Sequence, residues 1–148
     1  MNVSNWTNVP VPEGHIVALV LGTALHIWRP IELLGLIWLG HAFAWPILFL
    51  CMIFIAWAVA SARGIRMEEP LALITSGPYG FSRNPMYLAW NGIYLAIALL
   101  VNTWWLVILL PGLLLFTHYF VIRREEILLE RQFGEQYREY CARVPRYL

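Results

Sequence analysis

The run from Met86 to Ile122 contains no charged side chain, and this constrains the fold more than any other feature. As one straight helix it would measure about 55 Å, nearly twice the roughly 30 Å thickness of a bilayer core. It therefore has to fold back, and Asn102-Thr103 is the natural turn. Because backbone polar groups cannot stay unpaired in lipid, we predict an antiparallel helical hairpin, with helices over residues 85–101 and 104–122.

The composition places the chain in a membrane. Of its 148 residues, 60% are hydrophobic and 13% are charged, and the mean hydropathy is +0.63. Soluble domains carry roughly 25% charged residues, so we expect a small integral membrane protein with one domain, residues 1–148. The net charge of +1 gives no field that would attract nucleic acid. Cys51 and Cys141 lack ligand spacing, so neither a disulfide nor a metal site is expected.

The apolar runs before residue 63 predict the remaining spans. Ile16 to Trp28 is short, and it spans a bilayer only if it recruits residues 9–14 or thins the lipid locally. Leu33 to Ala62 is too long for one upright helix. We expect either one tilted helix kinked at Pro46 or a short interfacial piece followed by a span. With the hairpin, these runs predict an all-α bundle of about four transmembrane helices.

Arginine placement sets the expected orientation. Nine of the ten arginines lie in residues 63–85 or after residue 122. The positive-inside rule puts both regions in the cytoplasm, and with four spans the N-terminus lies there too. We expect an integral membrane protein, in a bacterial inner membrane, with its site and C-terminus facing the cytoplasm.

The tail from Arg123 to Val144 is predicted to form an amphipathic cytoplasmic helix. Gly134 weakens such a helix by about 1 kcal/mol relative to alanine and is a natural break point. The apolar residues of the tail recur at helical spacing on one face. They are Leu129, Phe133, Tyr137, Tyr140 and Val144.

The segment before the hairpin combines turn and helix-start signals. Gly77-Pro78 predicts a turn, and Asn84-Pro85 predicts a helix start with asparagine as the N-cap and proline at the first helical position. One interpretation is a helix-entry loop with an arginine at the lipid headgroups. The other is an anion site, formed by the free backbone N–H groups of the helix start together with Arg83.

A second polar cluster, Arg123-Arg124-Glu125-Glu126, ends the apolar run. It is either an ordinary juxtamembrane helix or a carboxylate site for a cation. Adjacent helical residues point about 100° apart, so only one glutamate need face the site. His118 precedes this cluster by one to two turns, and polar groups within a span usually face the bundle interior. We therefore also consider His118 as part of the site wall.

Four motifs in sequence order resemble those of the isoprenylcysteine carboxyl methyltransferase family and the related phospholipid N-methyltransferases. The resemblance covers residues 71–148, about half the chain, whereas residues 1–70 supply only apolar spans. The motifs are Leu73-Ile74-Thr75-Ser76-Gly77-Pro78-Tyr79, Arg83-Asn84-Pro85-Met86-Tyr87, Glu125-Glu126, and Phe133-Gly134-x-x-Tyr137-x-x-Tyr140-x-x-x-Val144-Pro145.

The resemblance implies an integral membrane methyltransferase that uses S-adenosylmethionine. In such enzymes the cofactor is enclosed between the last two spans and the C-terminal helical segment. Leu73 and Ile74 would meet it largely through their backbone, and Glu125 would bind it with Glu126 beside it. The residues that would line its pocket are Tyr79, Asn84, Pro85, Met86 and Tyr87.

Three positions depart from the family pattern. Many members have histidine at the position of Asn84 and glycine at the position of Ala89. Val121 stands where the eukaryotic carboxyl methyltransferases carry an arginine thought to face the substrate, four residues before the first glutamate. Arg123 or Arg124 is the candidate replacement.

The acceptor stays open at this level. It is a lipophilic or lipidated molecule: a prenylcysteine carboxylate, a phospholipid amine, a lipid hydroxyl or a thiol. An amine must lose a proton, so His118 or a glutamate would have to act as general base, and His118 is the histidine placed for it. Arg83 is suited to an anionic group. The competing interpretations are a sterol-type membrane reductase that binds NADPH, and a helical membrane subunit without enzymatic activity.

Overall fold

The computed structural model describes residues 12–62 and 72–147, and this part of the chain is all-helical. Arg63, Arg66 and the rest of the polar connection up to residue 71 lie outside the described residues, as do residues 1–11. The described helices are α1 (Glu13–Trp28), α2 (Ile37–Ser61), α3 (Pro85–Val101), α4 (Trp104–Phe116), α5 (Arg123–Phe133) and α6 (Glu135–Arg143). A 3₁₀ turn over Gly77–Gly80 precedes α3.

The hairpin turn lies where the sequence predicts it. Helix α3 ends at Val101 and α4 begins at Trp104. Asn102 has a φ of 53°, a left-handed conformation that asparagine tolerates better than most residues. Thr103 caps α4, because its side-chain oxygen accepts a hydrogen bond from the Trp105 backbone N–H at 3.2 Å. These two residues reverse the chain within a single tight turn.

Asn102 also fastens this turn to the connection between α1 and α2. Its Oδ1 accepts from the Leu34 backbone N–H at 2.8 Å, and its Nδ2 donates to the Leu34 carbonyl at 3.0 Å. The Trp104 backbone N–H donates to the Ile31 carbonyl at 3.0 Å. One end of the bundle is thus tied together by backbone and amide hydrogen bonds, and the opposite end carries the polar motifs.

Small residues let α2 pack closely along α3. A Cβ added to Gly40 would lie 2.8 Å from the Leu99 carbonyl oxygen, and one added to Gly92 would collide with the Cys51 sulfur. Close backbone approach at glycine is typical of helix contacts in membranes. The antiparallel register brings the C-terminal part of α2 beside Tyr79 and Met86, where Ala58 is fully buried.

Two described helices are long and apolar enough to cross a membrane: Ile37–Ser61, with 25 residues, and the continuous helix Trp104–Phe133, with 30. Helices α1 and α3 are apolar but shorter, so the count of four spans stays a prediction. Helix α2 begins at Ile37, leaving residues 33–36 outside it, and it contains Pro46.

The second helix of the hairpin was expected to end at Ile122, but it continues without a break into α5. The residues from Arg123 to Glu126 are good helix formers, and no glycine or proline interrupts them. Residues Thr117–Ile122 form a π-helical segment between α4 and α5. The helix does end at Phe133, because Gly134 has a φ of 54°, and α6 follows from Glu135.

The two tail helices fold back on each other. Tyr137, Tyr140 and Val144 are buried together, with Leu129 and Phe133 of α5 packed against them. Leu73, from the segment before the 3₁₀ turn, joins the same cluster. The tail therefore packs against the loop that leads into α3.

Replacing Asn102 tests whether its hydrogen bonds to Leu34 stabilise the hairpin turn. Asn102→Ala removes both side-chain hydrogen bonds to Leu34 and puts a Cβ without a polar group in the left-handed region. We expect a loss of stability of about 2 kcal/mol. Asn102→Gly loses the same hydrogen bonds but relaxes the backbone, so it should cost less. Denaturation of the detergent-solubilised protein measures both. Wild-type stability of Asn102→Ala would contradict the structural role given to this turn.

Candidate functional site

Polar side chains from distant segments meet at the open end of the hairpin. The Tyr87 hydroxyl, in the first turn of α3, donates to Glu125 Oε1 of α5 at 2.7 Å. Arg83, just before α3, pairs with Glu126 at 3.1 Å. The two polar clusters that flank the apolar run therefore lie together, as the folding back of that run requires.

Glycine and proline shape the loop that carries Arg83. Gly77 has a φ of 61°, and a Cβ at this position would collide with the Ser61 hydroxyl at the end of α2. The 3₁₀ turn that follows buries Pro78 and Tyr79. The Ser82 hydroxyl accepts from the Asn84 backbone N–H at 3.1 Å and so closes the loop directly before α3.

Asn84 occupies the N-cap position of α3, but its side chain does not cap the helix as the sequence predicted. Its Nδ2 instead donates to the Arg146 carbonyl at 3.1 Å. The Ser82 hydroxyl supplies the loop's local hydrogen bond, which leaves the Asn84 amide for this long-range contact. Asn84 thus joins the start of α3 to the C-terminal end of the chain.

Tyr79 presents a buried hydroxyl without a hydrogen-bond partner in residues 12–62 and 72–147. Its side chain is only 7% exposed and packs with Met86 and Ala58, beside Ile74 and Trp90. Its backbone carbonyl accepts from the Tyr140 hydroxyl at 2.7 Å, so the tail holds the main chain at Tyr79 in place. A buried hydroxyl left unpaired is costly in an apolar wall unless a ligand satisfies it.

The two glutamates have different partners. Glu126 accepts from Arg146 Nη2 at 2.6 Å and from Nε at 2.9 Å, and also from Arg83. Within the described part of the chain, Glu125 accepts a hydrogen bond only from the neutral Tyr87 hydroxyl. Glu126 is therefore a fully paired carboxylate in a mostly buried position, whereas Glu125 has no cationic partner among the described residues.

Arg83 is held on the tail side of the site. Its Nη1 donates to the Cys141 sulfur at 2.7 Å as well as to Glu126. Its side chain is 16% exposed, and its Nε is buried without a partner among the described residues. This guanidinium therefore has a donor left for an additional acceptor.

His118 lies in the π-helical segment and contacts the C-terminal residues. Its Nδ1 is 2.7 Å from the Tyr147 hydroxyl, and its Nε2 is 3.5 Å from Arg146 Nη1. A guanidinium only donates hydrogen bonds, so Nε2 is the acceptor in this arrangement. The neutral tautomer consistent with both contacts carries its proton on Nδ1, which donates to Tyr147.

The structure brings most of the predicted site residues together, with the exception of two adjacent arginines. Pro85, Met86 and Tyr87 are buried at the start of α3. Arg123 is exposed, and its side chain has no hydrogen bond or ion pair with the described residues, so it lies apart from the cluster. The same is true of Arg124.

Arg146 and Tyr147 belong to the cluster but were not among the predicted site residues. The motif pattern ends at Val144-Pro145, and the helical periodicity does not extend beyond α6. The available signal was charge, since a buried carboxylate such as Glu126 needs an arginine partner from some part of the chain. An arginine after a proline near the chain terminus was one candidate for this role.

The sequence matches the phospholipid methyltransferase family over residues 34–136. No curated protein and no solved structure matches it. The matched region includes Arg83, Tyr87 and both glutamates, and it ends before Arg146.

The hydrogen bond from Tyr140 to the Tyr79 carbonyl predicts a pH dependence of the folding stability. Burial raises the pKa of Tyr140 to about 12, above the ordinary value of roughly 10. The protonated phenol donates to the Tyr79 carbonyl, so its contribution to stability is fully present below about pH 10 and is lost as the pH rises through 12. We expect Tyr140→Phe to cost about 1 kcal/mol at neutral pH. The difference from wild type should shrink above pH 10.

Denaturation of both proteins across this pH range measures the effect, with the exposed Tyr119→Phe as the matched control. A difference that stays constant up to pH 12 would contradict the assigned hydrogen bond.

Proposed function

This chain belongs to the phospholipid methyltransferase family, and we propose that it transfers a methyl group from S-adenosylmethionine to a lipophilic acceptor at the cytoplasmic face of a membrane. The family is one of methyltransferases that act on lipids. The observation that carries the proposal is the Tyr87–Glu125 pair, which joins the two family motifs at one end of the hairpin.

The residues at this end fit the chemistry of the cofactor. S-adenosylmethionine carries a sulfonium, an ammonium, a carboxylate and ribose hydroxyls. Glu125 is a carboxylate without a cationic partner among the described residues, Arg83 has an unpaired donor, and Tyr79 has an unpaired hydroxyl. The ammonium and the carboxylate of the cofactor thus each have a counterpart of opposite sign in the cluster, and the Tyr79 hydroxyl is a neutral partner.

We assign the groups as follows. Glu125 would hold the ammonium or the ribose hydroxyls, and Arg83 would hold the carboxylate. The rings of Tyr79 and Tyr87 would face the positive charge. The remaining contacts would come from the backbone of Leu73 and Ile74 and from Asn84, Pro85, Met86 and Glu126.

Bound S-adenosylmethionine supplies an electrophilic methyl group. Methyl transfer disperses charge, so this chain's own contribution is alignment and the exclusion of water. Tyr79 and Met86 are almost fully buried and make a dry wall beside the acidic groups. Tyr87 orients the Glu125 carboxylate through its hydroxyl. These residues fix the reacting partners without taking part in bond making.

The position in the membrane supports a lipophilic acceptor. The site lies at the start of α3 and of α5, next to helices with exposed apolar side chains such as Phe116 and Phe120. The arginines concentrate at the same end of the hairpin. A water-soluble cofactor would enter from the cytoplasm, and an apolar acceptor would enter from the bilayer.

Binding of S-adenosylhomocysteine tests the cofactor and the role of Glu125. We expect the purified protein to bind it in calorimetry and not to bind NADPH. Glu125→Gln keeps the shape of the side chain but removes the charge, and it should weaken binding about tenfold or more. Glu139→Gln is the matched control, because Glu139 is exposed on α6. Binding of NADPH instead would indicate a reductase, and binding of neither would favour a non-enzymatic subunit.

Transfer of a labelled methyl group tests the acceptor and the role of His118. Purified protein is incubated with methyl-labelled cofactor and a host membrane extract, and the labelled product is identified by mass spectrometry. We expect a lipid product. If it is a methylated amine, His118→Ala should lower turnover, since the acceptor must lose a proton. Unchanged turnover on an amine would remove His118 as the base, whereas a carboxylate or thiolate acceptor needs none.

A further inference from the structure

The last residues of the chain form a segment that we call the C-terminal strap, residues 144–147. Its backbone is bonded to the loop before α3. The Arg83 N–H donates to the Pro145 carbonyl at 3.0 Å, and the Ser82 hydroxyl donates to the Arg146 carbonyl at 3.2 Å. The Asn84 side chain adds a bond to the same Arg146 carbonyl. Arg146 is thereby fixed directly beside the loop that carries Arg83.

The side chains of the strap reach the other wall of the site. Arg146 chelates both oxygens of Glu126 on α5, and the Tyr147 hydroxyl lies 2.7 Å from His118 on the π-helical segment. The strap therefore bridges the loop and the last helix of the hairpin.

Glu126 makes unequal contacts with two arginines. Arg146 makes two short contacts with it, whereas Arg83 makes one longer contact, to Oε1 alone. The Glu126 side chain is only 13% exposed, so its carboxylate depends on these arginines more than on water for charge compensation. Without Arg146, the charge of Glu126 would be compensated by a closer ion pair with Arg83.

We propose that Arg146 is a positioning residue: by chelating Glu126 it leaves the Arg83 guanidinium available for the carboxylate at the amino-acid end of the cofactor. This inference rests on the proposed function. It assigns different tasks to the two glutamates, since Glu125 faces the cationic part of the ligand and Glu126 sets the direction and charge of Arg83. It also makes the C-terminal strap part of the site.

The proposal predicts that replacing Arg146 has different effects on the affinity for two ligands. One ligand is S-adenosylhomocysteine, and the other is its analogue that lacks only the carboxylate. Arg146→Gln should weaken binding of the first about tenfold, because Glu126 then captures Arg83. The decarboxylated analogue should bind as well as before or more tightly, because the site has lost one positive charge. Calorimetry with both ligands measures this.

A purely structural role for Arg146 gives a different result, namely a similar loss of affinity for both ligands, and that outcome would overturn the proposal. Unchanged affinity for S-adenosylhomocysteine would also overturn it. Arg143→Gln is the matched control, since Arg143 is exposed on α6 and, among the described residues, donates only to the Glu139 backbone carbonyl. It should leave both affinities unchanged.

A double variant keeps the proposal testable if Arg146→Gln folds poorly. Glu126→Gln together with Arg146→Gln removes the buried carboxylate along with its partner, so Arg83 is no longer captured. It should bind S-adenosylhomocysteine within a few-fold of the wild-type affinity, and a loss of about tenfold or more in the folded double variant would overturn the proposal. Arg146→Lys keeps the charge but not the planar fork, and should lie between wild type and Arg146→Gln. Absence of binding by the wild-type protein would overturn both this inference and the proposed function.

Discussion

A carboxylate in a largely buried position is stable only when cations or hydrogen-bond donors compensate its charge, and this requirement organises the open end of the hairpin. Glu126 obtains its charge compensation from two arginines that lie far apart in sequence, Arg83 before α3 and Arg146 after α6. An ion pair in a largely buried position is stable only when its geometry and hydrogen bonds are nearly complete. The cluster therefore holds the loop, the last long helix and the chain terminus in one arrangement.

The π-helical segment favours this convergence. His118 and Glu126 are eight residues apart, so in a regular α-helix they would point about 80° away from each other. The buried positions Thr117 and Ile122 are separated by five residues, which is the step of a π-helical turn. The extra residue of that turn rotates the helix after it by about 100° and brings Glu126 to the side of His118, where Arg146 contacts both side chains. Interruptions of this kind are frequent at functional sites.

The sequence predicts those features that depend on local chemistry or on the length of an apolar run. The turn at Asn102-Thr103 follows from the length of the run and from the tolerance of asparagine for the left-handed region. The approach of Arg83 to the glutamates follows because both ends of a folded-back run lie at the same end of the hairpin. The break at Gly134 follows from its low helix propensity.

Features that depend on contacts between distant segments were beyond sequence analysis. The expected cap at Asn84 is wrong because the Arg146 carbonyl competes for its side chain, and no local rule contains that partner. The strap has no periodicity of its own, so Arg146 and Tyr147 carried no signal beyond charge.

The two adjacent glutamates have different partners, and this difference fits the function proposed for the site. If both carboxylates were neutralised by arginine, the cluster would have no affinity for a cation. If neither were, two buried like charges would destabilise the fold. Adjacent helical residues diverge by about 100°, so Glu126 turns toward the arginines while Glu125 turns toward Tyr87. Tyr87 supplies a hydrogen bond but no charge, so Glu125 is held in place without a cationic partner among the described residues, as the proposed role in binding a cation requires.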